Sequence, residues 1–138
     1  LKTEPRRYDV IALRATRVAC MKRETFHWLL DHSIAFNHAI IEQINERLGQ
    51  FIGLLESERL HDTDTRVARS ISIMFNPVLY PGQNATLAIS QEEIGHLASV
   101  SRQRVNRSLK LLEDAGFLRV EYGGIAILDL DGLRRFGG

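Results

Sequence analysis

A single cysteine, Cys20, in 138 residues excludes an intrachain disulfide framework and suits a reducing compartment. Cys20 falls in an apolar, alternating run and is expected to be a buried, inert thiol. Net charge is nearly absent as well: the formal total is +1, so affinity for polyanions cannot be argued from the whole chain and must be sought locally. No apolar stretch approaches the ~20 residues of a membrane span and no signal-peptide pattern opens the sequence, which points to a soluble, cytoplasmic protein without a membrane partner. His27, His32, His38, His61 and His96 are scattered, with no HxxxH or HExxH spacing, and there is no Gly-rich phosphate loop. Neither a metal site nor a catalytic residue is therefore expected. The first residue is Leu1, and the segment it opens already reads as the middle of a domain, so a fragment of something longer is expected.

What is present is ordinary globular material, 44% hydrophobic and 25% charged, in a chain long enough to bury a core. Tyr8 to Met21 is β-branched and apolar with partial alternation, and reads as two strands meeting near Arg14 to Thr16. Two strands alone are marginal and would need partners from elsewhere. Arg23 to Asp31 reads as a short amphipathic helix with Phe26, Leu29 and Leu30 on one side. Ile34, Asn37, Ile41, Ile44, Leu48, Phe51 and Leu55 then recur at alternating spacings of three and four. That is the a/d seam of a dimerising helix, ~30 Å long, with Asn37 as the polar position that can set register. Ile40, Ile52 and Leu54 widen the stripe and keep open the alternative of a helix packed on its own domain.

His61-Asp62-Thr63-Asp64 interrupts this pattern with capping residues, and a new helix follows through Arg66, Val67, Ala68, Ile71 and Phe75. Pro77 to Asn84 reads as a loop, and Leu87 and Ile89 suit a short strand. Ser90 and Glu93 form a capping box for a helix that carries Ile94 and Leu97 inward and ends near Ser99. Ser101 is placed to cap a second helix reaching Ala115, with Gly116 at its C-terminus. Phe117 to Glu121 and Ile125 to Leu128, joined through Gly123-Gly124, read as a hairpin. A short helix, a tight turn, a longer helix and a hairpin make a winged helix-turn-helix. The expected fold is mainly α with a small β component.

The second helix of that motif holds the local charge. Ser101 to Lys110 contains Arg102, Arg104, Arg107 and Lys110 and no acidic residue. At roughly 100° per residue, Arg102, Gln103, Asn106, Arg107 and Lys110 share one face, with Val105, Leu109 and Leu112 opposite. Arg presents a bidentate fork to guanine, and Gln or Asn pairs with adenine, each good pair giving ~1–3 kcal/mol of discrimination. Ser101, Arg102, Gln103, Asn106, Arg107 and Lys110 are thus the candidate DNA-binding residues, with Lys110 placed for phosphate. A winged helix can instead be a protein-interaction module, but such a face should be more apolar.

These residues resemble the catabolite activator (Crp/Fnr) family of transcription regulators. The resemblance rests on Ile89-Ser90-Gln91-Glu92-Glu93-Ile94-Gly95, on Ser101-Arg102-Gln103 with Val105-Asn106-Arg107, on Leu111 to Leu118, and on Asp129-Leu130-Asp131-Gly132-Leu133. It implies that residues 1–35 are the end of an effector-sensing β-roll, 36–61 the dimerisation helix and 62–138 the DNA-binding domain. It also implies a homodimer on a two-fold symmetric double-stranded DNA site, with RNA polymerase as a further partner near the Asn76 to Asn84 loop. Cyclic-nucleotide-binding members carry Arg, then Ser or Thr, then Ala in a phosphate-binding turn, where this chain has Arg6-Arg7-Tyr8. They also offer hydroxyl residues where Phe51 and Ile52 align. These departures argue against cyclic AMP and leave Arg6 as the candidate contact for an effector of unassigned identity. Members often have Glu where Gln103 stands, so the half-site should differ there.

Overall fold

In the computed structural model, which describes Val10, Ala12 and residues 15–59 and 62–137, regular structure begins at Arg23. The chain divides into two compact units, Leu1–Asn37 and His38–Gly138.

In the first unit, Val10, Ala12 and residues 15–22 form no strand, contrary to the alternation of the sequence. The rest of the Tyr8 to Met21 reading, with Arg6, lies outside the described residues. Alternation marks a surface that fits a sheet, but a strand exists only where a neighbour completes its hydrogen bonds. Cys20 is consequently exposed, not buried. Helix α1, Arg23–His32, is amphipathic as expected, with Phe26, Leu29 and Leu30 half-buried, yet it buries no residue fully. Phe26 meets Phe36 edge to face at 5.3 Å. Asn37 donates from Nδ2 to the Leu30 carbonyl at 2.9 Å.

Helix α2 runs from Ile34 to Arg59, and α3 from Thr63 to Ile73. Asp62 caps α3, accepting from the backbone N–H of Asp64 and Thr65 and from the Thr65 hydroxyl. Then come β1 (Thr86–Leu87), α4 (Gln91–Ala98), α5 (Arg102–Asp114), β2 (Leu118–Glu121), β3 (Gly124–Ile127) and α6 (Leu130–Arg135). The strands form one antiparallel sheet in the order β1-β3-β2, with Thr86 opposite Ala126 and Leu118 opposite Ile127. The hairpin turn is Tyr122-Gly123, since Glu121 and Gly124 already pair; Gly123 takes the positive φ of 79° that the turn requires. Asp129 caps α6 through the Gly132 N–H, an element that composition alone did not signal.

The core of the second unit lies among α3, α4, α5 and the sheet. Val67, Ala68, Ile71, Ile94, Val105, Leu109, Leu112, Leu118, Ile125 and Leu133 are all buried. Of these, Val67, Ala68 and Ile71 lie on the inner face that the helical period gives α3, and Val105, Leu109 and Leu112 on that of α5. Leu97 departs from expectation. It is 45% exposed, and Ala98, four residues after Ile94 and so on the same face of α4, fills the inner position instead. Among the described residues no helix is long and apolar enough to cross a membrane.

Candidate nucleic-acid interface

The interface begins with how α4 is stopped and α5 restarted. Ser90 accepts from Glu93 N–H while the Glu93 carboxylate accepts from Ser90 N–H at 2.7 Å, which completes the capping box. At the other end Ser99 takes a left-handed conformation, φ 52° and ψ 44°, and Val100 N–H donates back to the Gly95 carbonyl at 2.9 Å. A Cβ on Gly95 would stand 2.8 Å from the Val100 carbonyl oxygen, so glycine is what lets the turn fold back this tightly. The turn is then clamped from α3: Arg66 donates to the Ala98 carbonyl at 2.5 Å and to the Ser99 carbonyl at 2.7 Å. Free carbonyls at a helix C-terminus are partnered in this way by a cation. Nothing local in the sequence signals Arg66 for this role, since its partners lie more than thirty residues away.

Helix α5 has the two faces its sequence predicts. Val105, Leu109 and Leu112 are at most 1% exposed, and Arg102, Gln103, Asn106, Arg107 and Lys110 are all exposed. Ser101 occupies the N-cap position but makes no side-chain cap bond, and the first turn of α5 carries no acidic residue. The positive end of the helix dipole and the arginines therefore act together at this end. The polar face has two shoulders. On one, Asn106 accepts from Gln91 of α4 at 3.4 Å. On the other, Arg104 and Arg107 line a cleft of about 360 Å³ with Ser108 and with Asp62, Thr63 and Asp64 at the start of α3. Arg104, off the main face by helical phase, thus shares the surroundings of Arg107.

The wing stands beside this helix. Glu113 of α5 accepts from Val120 N–H at 2.8 Å, tying β2 to the end of α5, and Tyr122 is fully exposed at the tip. Arg119 is paired with Glu121 at 2.7 Å, an exposed ion pair of small energetic weight.

Helix α2 shows the reverse distribution. Within the second unit, its polar residues face the end of α3 and the segment after it: Gln43 donates to the Val78 carbonyl at 2.5 Å, Gln50 to the Ile73 carbonyl at 3.1 Å, and Glu46 accepts from Asn76 at 2.6 Å. Its apolar seam points outward. Ile34, Ile41, Ile44, Leu48, Phe51 and Leu55 are exposed by 46–75%, and Ile52 by 47%. Asn37 is half-buried, its amide engaged by Leu30.

One carboxylate is electrostatically distinctive. Hydrogen bonds from the Thr65 hydroxyl, outweighing a small cost of burial and joined by the N–H groups of Asp64 and Thr65, hold the Asp62 carboxyl below the ordinary range. Among the described residues no cluster of His, Cys, Asp or Glu is arranged for a metal ion.

Residues 65–136 match the Crp-like helix-turn-helix domain. No curated protein matches the chain. Among solved structures, a transcriptional regulator of the Crp/Fnr family from Eubacterium rectale aligns over 81% of this chain and 51% of its own length, at 23% identity and a TM-score of 0.50. The catabolite activator protein of Thermus thermophilus aligns over 81% of this chain and 52% of its own, at 24% identity and a TM-score of 0.45. The chain therefore spans about half the length of these structures.

Proposed function

The chain belongs to the Crp/Fnr family of transcription regulators, and from that membership we propose that it is a sequence-specific DNA-binding regulator acting as a homodimer on a two-fold symmetric operator. The observation that carries the reading is the exposed face of α5. Its apolar side is locked into the core while Arg102, Gln103, Asn106, Arg107 and Lys110 are exposed on the other, at a helix end that no side chain caps. Such a helix fits the major groove. In this reading Arg102, Gln103, Asn106 and Arg107 meet base edges, and Ser101 and Lys110 meet phosphate. Gln103 prefers adenine where a Glu would accept from cytosine.

Dimerisation follows from the outward seam of α2. A soluble chain that hydrogen-bonds inward with Gln43, Glu46 and Gln50 and exposes Ile41, Ile44, Leu48, Phe51 and Leu55 leaves a surface that a second copy of the same helix would cover. Two subunits would set their α5 helices about 34 Å apart in successive major grooves. The same reading makes the chain a cytoplasmic protein and gives the loop from Asn76 to Asn84 to RNA polymerase.

Binding to a pool of random duplexes at two salt concentrations tests the proposal. A protein that neutralises several phosphates must lose affinity steeply as salt rises. Binding that is absent, or indifferent to salt, overturns it and favours a protein-interaction role for the winged helix.

A further inference from the structure

Ser108 lies on the recognition helix with no accessible surface, and its hydroxyl is nevertheless polar. A buried hydroxyl is costly unless it is hydrogen-bonded. Its Oγ donates to Oδ1 of Asp64 at 2.5 Å, across 44 residues of sequence. Asp64 is itself fixed: it stands in the first turn of α3, and its backbone N–H donates to the Asp62 cap at 3.1 Å. The bond therefore ties the middle of α5 to the rigid start of α3.

A second tie lies at the beginning of α5, where Arg66 of the same helix α3 holds the carbonyls of Ala98 and Ser99. Two separated points of attachment to one helix restrict the roll of the other, which apolar packing alone restricts less sharply, since dispersion contacts are non-directional. Roll matters here because Arg104, three residues before Arg107 and four before Ser108, and Arg107, next to Ser108 in the chain, both line the cleft that contains Ser108 and Asp64. A small rotation about the α5 axis would move those guanidinium groups relative to any base edge by more than hydrogen-bond geometry tolerates.

We propose that Asp64 and Ser108 are positioning residues for base discrimination, setting through their hydrogen bond the roll at which the recognition helix presents Arg104 and Arg107. This rests on the DNA-binding reading above. Contacts to phosphate tolerate such a rotation better than contacts to base edges, so the effect falls on specificity.

The test compares a duplex selected from a random pool with an unselected random duplex, using the full chain. Wild type must first prefer the selected duplex; if it does not, the DNA-binding proposal fails and this one with it. Ser108→Ala is expected to reduce that preference roughly five- to tenfold, the range of one ordinary hydrogen bond, while affinity for the random duplex changes less than about twofold. Asp64→Ala should behave like Ser108→Ala and carries the same test if Ser108→Ala does not fold. Asp64→Asn keeps an acceptor for the Ser108 hydroxyl and should retain most of the preference. With wild-type discrimination intact, an unchanged preference in Ser108→Ala, or an equal loss on both duplexes, overturns the positioning role. A loss in Asp64→Asn with none in Ser108→Ala also overturns it, because charge and not the bond would then be responsible.

Discussion

Helices α2 and α5 are both amphipathic, and they use that property in opposite senses. In α5 the apolar stripe is spent inside the molecule, with Val105 and Leu112 fully buried, and the polar face is free. In α2 the polar residues Gln43, Glu46 and Gln50 are bonded inward and the apolar stripe is free. Amphipathicity therefore says that a helix has two faces, not which of them the protein keeps for a partner. The free face of each helix carries the chemistry of its proposed partner: cationic and amide groups for DNA, branched aliphatic side chains for a second copy of the same helix.

The largest expected effect tests the buried stripe. Leu112→Ala should cost about 2–5 kcal/mol of unfolding free energy by denaturant titration, because it removes buried methyl groups and leaves a cavity. Leu48→Ala, on the exposed stripe, should change the stability of the monomer by less than about 0.5 kcal/mol. Similar losses at the two positions would show that both stripes are internal.

Next comes association. Leu48→Asp should weaken the dimer by at least about 2 kcal/mol, since pairing would place an unpartnered carboxylate within the seam. Sedimentation equilibrium reads this directly, and an unchanged dimer would mean that the seam residues do not meet. A smaller effect is expected at the turn that aims α5. Gly95→Ala should cost about 1–3 kcal/mol, because its new methyl group meets the Val100 carbonyl, a backbone atom that cannot swing away.

The smallest concerns the start of α3. Asp62→Ala should cost about 1 kcal/mol near pH 7 through loss of the cap. The Asp62 carboxyl is depressed in the folded protein, so its contribution is fully present above the ordinary carboxyl value near 4 and is lost as pH falls below it. The stability difference between wild type and variant should therefore shrink as pH falls below about 4, and a difference that does not shrink in acid would deny the carboxylate its role.

Where the chain's structure is local, its sequence was readable. The capping box of Ser90 and Glu93, the two faces of α5 and the wing all follow from period, caps and turn residues, and the structure places each as expected. What escaped was non-local. Arg66 reads as one more polar residue of α3 until the Ala98 and Ser99 carbonyls are brought to it, and Ser108 as a minor flaw in an apolar face until Asp64 is opposite. The alternation before Met21 misled for a related reason. A strand needs a neighbour that pattern alone cannot supply, and Cys20, expected to be inside, is exposed. At the end of α4, Leu97, expected inside, is exposed, and Ala98 is buried in its place.

The stoichiometry and salt dependence of binding to a selected two-fold symmetric duplex, measured by sedimentation over a range of salt, most directly test whether two chains pair on DNA. Two chains per duplex are expected, with affinity falling steeply as salt rises, and with the two-to-one stoichiometry lost when one half-site is scrambled or Leu48 is replaced by Asp. One chain per duplex at saturation, or an affinity that salt leaves unchanged, would contradict that expectation.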